Sequence, residues 1–232
     1  MPTPSIVPAR LRSAAVVALV VAVGFVAACS KSKKPSQPEV PVAPTPDSPQ
    51  HALALLEWCW DQRNADVYHE VFTDDFQYEF APSDSQAIGA TITRDEELAI
   101  ATNLFVNGVP GHPAASSVFL GLDPTLVVQA DDRPGKNSAW HKRIASDLRL
   151  IVTTPGPDYS TTGKATFYVT RGDSALIPAE LVTRGFRPDS TRWYVDHWTD
   201  GTSCPLGKLC VTVGRIKLAY AATAAGAVGA GR

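Results

Sequence analysis

Residues 72–80 read Phe72-Thr73-Asp74-Asp75-Phe76-Gln77-Tyr78-Glu79-Phe80. Phe76, Tyr78 and Phe80 alternate with Gln77 and Glu79, the two-residue period of a strand with one buried face. Toward the N-terminus the period lengthens. Ser48-Pro49 supplies an N-cap and a first-turn proline, and Ala52, Leu53, Leu55, Leu56, Cys59 and Trp60 then form a broad apolar stripe at helical spacing. A second, short helix fits Asn64 to Phe72, with Asn64 as cap and Val67, Tyr68 and Val71 on one side.

Toward the C-terminus, Thr93 and Glu96 form a capping box that opens a helix carrying Leu98, Ile100, Ala101, Leu104 and Phe105. Strands follow. They are read over Thr125 to Ala130, over Trp140 to Thr154 with Ile144, Leu148, Leu150 and Val152 on one face, over Gly163 to Thr170, and over Arg192 to Thr199. Asp173 to Arg187 has no clear period, and Pro178 argues against a central strand there. Helices, one early strand, another helix and then a run of long strands is an α+β order, with the domain spanning residues 50–203.

The chain has 232 residues, a net charge of −2, 44% hydrophobic and 19% charged residues. That composition excludes wholesale disorder, and it supplies no basic field for a nucleic-acid partner. The five histidines share no i,i+4 helical face, and the four cysteines lack zinc-site spacing, so no metal and no cofactor is expected. No nucleophile elbow of the Gly-x-Ser-x-Gly kind and no phosphate-cradling glycine loop is present.

Residues 1–28 carry Arg10 and Arg12, no acid, and an apolar run from Ala14 to Ala28. Fifteen helical residues rise about 22 Å, short of a hydrocarbon core of about 30 Å, so the segment reads as a signal peptide. Its end, Val26-Ala27-Ala28-Cys29, resembles the lipobox of bacterial lipoproteins. That resemblance implies cleavage before Cys29, acylation of its thiol and attachment to a membrane of the cell envelope, the outer one in a diderm cell because Ser30 follows. An uncleaved anchor is the alternative. Residues 29–49 hold Lys31, Lys33 and Lys34, then prolines at 35, 38, 41, 44, 46 and 49, the composition of a semi-rigid polyproline II tether. Residues 204–232 read as a loop bracketed by Cys204 and Cys210, which in an exported protein suggests a disulfide, followed by a low-complexity tail from Ala221.

The stretches Leu55-Leu56-Glu57-Trp58, Asn64-Ala65-Asp66 and Phe72 to Tyr78, with Thr191-Arg192-Trp193-Tyr194-Val195-Asp196-His197-Trp198 at the far end, resemble the NTF2-like superfamily, which includes SnoaL-like and ketosteroid isomerase proteins. The resemblance implies a cone, a curved antiparallel sheet wrapped around N-terminal helices. In isomerase-like members an acid removes a proton beside a carbonyl while a tyrosine or protonated acid holds the oxyanion. Here the candidates are Tyr78, Asp75, Asp196 and His197. In a regular strand Trp193, Val195 and His197 share one face and Tyr194, Asp196 and Trp198 the other, so one of Asp196 and His197 would face inward. The leading expectation is a non-catalytic module for a small apolar ligand or an envelope protein. The alternative is an isomerase- or dehydratase-like enzyme. The polar face His141, Arg143, Asp147 and Arg149 suits solvent or a homodimer through the sheet.

Overall fold

The computed structural model describes residues 41–84, 91–203 and 211–221. The leader, Cys29 and the Cys204–Cys210 pair lie outside the described residues.

Helix α1 runs Pro49–Gln62. The Ser48 hydroxyl oxygen accepts a hydrogen bond from the His51 N–H at 3.1 Å, and the apolar stripe read from the sequence is the buried face. The helix ends at Arg63, in a left-handed conformation (φ 50°). Helix α2 is a single turn, Ala65–Tyr68, capped by the Asn64 side chain. It stops short of Phe72 because Phe72 already belongs to strand β1, Phe72–Glu79, where it pairs with Val195. Strand β2 (Thr91–Thr93) leads directly into α3 (Arg94–Thr102), and the capping box Thr93/Glu96 is present. A π turn over Asn103–Asn107 extends α3.

The remaining strands are β3 (Ser117–Leu122), β4 (Val128–Ala130), β5 (His141–Thr153), β6 (Tyr159–Arg171) and β7 (Trp193–Thr202). Helix α4 (Ala179–Thr183) fills the segment whose period was unclear, and Pro178 stands at its N-cap. The strand order is β2-β1-β7-β6-β5-β3, with β4 also on β5. All pairs are antiparallel except β1–β7, which is parallel. Strand β3 carries no long apolar alternation. Val118 and Leu120 enter the core and Leu122 packs half-buried against it, while Phe119 is 46% exposed and its ring lies over Gly121.

The architecture is the α+β cone that the resemblance implies, a curved, unclosed sheet folded over helices around one core. Its helices are not all N-terminal, however. Val213–Tyr220, inside the stretch read as loop and tail, forms helix α5. Val213, Ile216, Lys217 and Tyr220 of α5 are buried, an i, i+3, i+4, i+7 face directed into the cone. Unmatched N–H groups at its start find partners within the fold: Val213 N–H donates to Thr202 Oγ1 (3.1 Å), Gly214 N–H to Asp200 Oδ2 (3.0 Å) and Arg215 N–H to Thr212 Oγ1 (3.1 Å). At its end the Tyr220 hydroxyl donates to Pro113 O and the Asn103 amide donates to Tyr220 O.

Close approach of α5 to β1 requires a glycine. A Cβ at Gly214 would lie 2.5 Å from Phe80 Cδ1 and 3.3 Å from the Tyr78 hydroxyl. Gly214→Ala is therefore expected to destabilise the protein by about 1–3 kcal/mol in urea unfolding, as overpacking does, despite alanine's better helix propensity. An unchanged or raised midpoint would contradict this seating of α5.

Candidate functional site

The closing strand does not alternate regularly. Tyr168 pairs with His197 but Val169 pairs with Val195, which leaves Asp196 as the extra residue of a β-bulge. Val195 and Trp198 consequently both enter the core, and Asp196 and His197 both lie on the outer side. The expectation that one of them faces the helices is corrected by this bulge. Asp196 accepts from Arg133 Nη2 (2.9 and 3.0 Å), from Lys136 Nζ (3.2 Å) and from the Thr170 hydroxyl (2.8 Å). Arg133 also grips Asp131, and its guanidinium lies 3.9 Å from the Tyr168 ring centroid. Together these contacts pin the segment between β4 and β5 to the outside of the sheet. His197 lies 3.3 Å from Glu79 Oε2 and edge-on to Tyr168. Asp75 is exposed on β1. Of the four candidates only Tyr78 points into the cone.

Tyr78 meets an acid there, but one that the sequence reading did not name. Its hydroxyl donates to Asp200 Oδ2 at 2.6 Å. That oxygen also accepts the Gly214 N–H, while Asp200 Oδ1 accepts the Thr202 N–H (2.8 Å) and hydroxyl (2.6 Å). Four donors use the carboxylate's four acceptor directions, so no acceptor is left for a substrate proton. The carboxylate's work is structural: it sits at the N-terminus of α5, where the N–H groups and the helix dipole favour an anion.

Beside this pair lies a second one. Lys217 of α5 forms an ion pair with Glu97 of α3. Glu97 Oε1 also accepts the Tyr68 hydroxyl at 2.7 Å, and the Tyr68 oxygen accepts Trp60 Nε1–H at 3.1 Å. The Lys217 Nζ stands 4.4 Å from the Tyr78 ring centroid, 4.5 Å from that of Trp198 and 5.4 Å from that of Trp60. Tyr68, Tyr78, Trp60, Trp198, Glu97, Asp200 and Lys217 are each at most 1% exposed. Burial pushes the Lys217 ammonium below the ordinary lysine range, against the pull of Glu97. Burial, reinforced by the neighbouring carboxylates, holds the Tyr68 and Tyr78 phenols well above the ordinary tyrosine range. Burial also raises the Cys59 thiol to about 12, which leaves it inert as a nucleophile.

Glu97 and Lys217 each lie on a helical face that the structure buries. Glu97, Ala101 and Leu104 share a helical face, as do Val213, Lys217 and Tyr220. Nothing in the sequence pairs those two positions with each other. Open space lies outside this cluster, and one hollow of about 290 Å³ sits against α3 and α5, lined by Phe80, Ile92, Ile100 and Leu218 among others. The outer face of β3, β5 and β6 carries a groove of about 630 Å³ lined by Phe119, Asp123, Asp147, Arg149 and Lys164 among others.

No family model matches the sequence, and no curated protein does. Among solved structures, an NTF2-like superfamily protein from Salmonella enterica serovar Typhimurium is 15% identical, with 69% of this chain and 89% of that one covered and a TM-score of 0.40. An NTF2-like protein from Cytophaga hutchinsonii is 9% identical over 65% and 91%, TM-score 0.40. Protein Kfla4162 from Kribbella flavida is 15% identical over 67% and 88%, TM-score 0.46. Likenesses of this degree carry no argument about activity, which rests on the residues of this chain.

Two outcomes check the interior. Lys217→Met leaves two carboxylates in a closed space without their ammonium and is expected to cost about 3–5 kcal/mol in urea unfolding. Adding Glu97→Gln is expected to recover most of that loss, and no recovery would contradict the pairing. In alkaline titration of the folded protein, followed by phenolate absorbance, Tyr68 and Tyr78 are expected to ionise last. Because the fold keeps these protons above the unfolded value, the stability they contribute is full below pH about 10 and is lost as pH rises beyond it. Tyr78→Phe should remove one late-titrating phenol; an unaltered late phase would contradict the burial of Tyr78.

Proposed function

We propose that this chain is a lipid-anchored protein of the bacterial cell envelope whose cone is a non-catalytic module. The observation that carries the non-catalytic part is the closed interior. Among the described residues the cone holds two acid–tyrosine pairs: in Tyr78–Asp200 the carboxylate is spent on four internal donors, in Tyr68–Glu97 it is tied to Lys217, and none of the four residues is open to a substrate from solvent. A general base needs hydrogen-bond reach to its substrate and a free acceptor. The anchoring part is supported by the order of charge, apolar run and Val26-Ala27-Ala28-Cys29 in the leader, and by the proline-spaced tether that follows.

With the interior filled, partners meet the outside. The partner we propose is a second copy, across the outer face of β3, β5 and β6. Phe119 stands exposed there, and Asp147, Arg149 and Lys164 present both signs of charge on one patch. A two-fold interface needs such self-complementarity. Phe119→Asp is expected to lower the mass measured by light scattering from dimer to monomer, and a monomeric wild type would refute this contact.

The function as a whole is tested on membrane-extracted protein. Intact mass should show loss of residues 1–28 and an acyl adduct on Cys29, and Cys29→Ser should abolish the adduct and release the protein from the membrane fraction. The same preparation should leave enolisable ketones unchanged. A mature form that carries no lipid would overturn the anchoring. Turnover that Tyr78→Phe lowers about 10²-fold or more, with the fold intact, would overturn the non-catalytic reading and favour the enzyme.

A further inference from the structure

The walls around the Lys217 head group come from parts of the chain other than α5. Trp60 belongs to α1, Glu97 to α3, Tyr78 to β1, and Trp198 and Asp200 to β7. The rings of Trp60, Tyr78 and Trp198 pack edge to face on one another, Trp60–Trp198 at 6.2 Å and Tyr78–Trp198 at 5.3 Å between centroids, so the walls brace each other. Each presents its ring to the ammonium within the range of a cation–π contact. Tyr68, held by Trp60, orients the Glu97 carboxylate toward the same point. Glu97 Oε2 is buried and has no hydrogen-bond partner among the described residues, so acceptor capacity remains beyond what Lys217 uses. Asp200 adds a second negative charge to the field felt by Lys217.

We infer that the interior of this cone is a recognition site for a primary alkylammonium group, and that Lys217 is its built-in occupant. Three electron-rich ring faces and two carboxylates form the receptor, and α5 delivers the ligand. An apolar void would hold any small hydrocarbon, and a plain salt bridge would need no ring faces. The arrangement found here selects a compact cation on a short methylene stem. The class of ligand is thus an amine carried on an alkyl chain of about lysine's length. The inference goes beyond the function proposed above and rests only on the filled interior. A failed result would leave lipidation and the absence of turnover untouched.

The test removes the occupant and offers its equivalent in solution. Lys217→Ala deletes three methylenes and the ammonium, the atoms that n-propylammonium would return. In the full-length protein, n-propylammonium chloride is expected to raise the unfolding midpoint of Lys217→Ala in a saturable way. Sodium chloride of equal ionic strength serves as the baseline. The effect should appear at a concentration at least about tenfold lower than for propan-1-ol, a neutral stem of the same length. Wild type should not respond, and Glu97→Gln added to Lys217→Ala should weaken the response about tenfold or more. Equal responses to propylammonium and propanol would show a mere apolar void and overturn the inference, as would no response to either. Should Lys217→Ala fail to fold alone, refolding from urea decides the matter. Recovery with propylammonium but not with propanol supports the cage, and recovery with neither overturns it.

Discussion

Lys217 brings an amine to a fully buried position, and much of the fold's detail follows from satisfying it. An ammonium in a closed interior is costly unless it is paired and cradled. Glu97 supplies the pair, and Tyr78, Trp198 and Trp60 supply the cradle. Tyr68 and Trp60 in turn orient Glu97. To place Lys217 there, α5 must enter the cone at a fixed depth. Asp200 fixes it by holding the start of α5, and Gly214 permits it by letting the helix lie against Phe80. The Tyr78–Asp200 pair thereby helps to seat α5 in the cone.

The outer surface solves a different problem. The bulge at Asp196 turns two neighbouring polar residues to the same side of the sheet. There Arg133 joins Asp131 and Asp196, and Thr170 and Lys136 complete the ring around the second carboxylate. The long excursion between β4 and β5 is thereby clamped across β6 and β7. Both carboxylates remain paired and hydrogen-bonded, which is the condition under which buried charge is tolerated.

Much of the fold was legible because local signals were strong. Ser48-Pro49 and the Leu53–Trp60 stripe marked α1, Thr93 and Glu96 marked α3, and the alternation of Ile144, Leu148, Leu150 and Val152 marked β5. The site was far less legible. Tyr78 was found because strand alternation directs it inward. One of Asp196 and His197 was expected to face inward and both lie outside, because a bulge leaves no mark in the period of a strand. Asp200 escaped because its partners, Tyr78 and Gly214, come from distant parts of the chain. Helix α5 escaped because a short amphipathic turn beside an Ala- and Gly-rich tail carries too few large residues to stand out, and its one charged inward residue reads as surface until Glu97 is seen opposite.

The most direct test of the account is the nuclear magnetic resonance signal of the Lys217 side chain in the folded wild type. If three ring faces surround its ammonium, the ε-methylene protons lie well upfield of ordinary lysine, and the ammonium protons exchange slowly enough to be observed. Lys217→Met should remove those resonances and no others of that kind. Lysine ε-protons that all lie at their ordinary solvent-exposed positions, with no slowly exchanging ammonium, would mean that α5 does not fill the cone, and the account would fail.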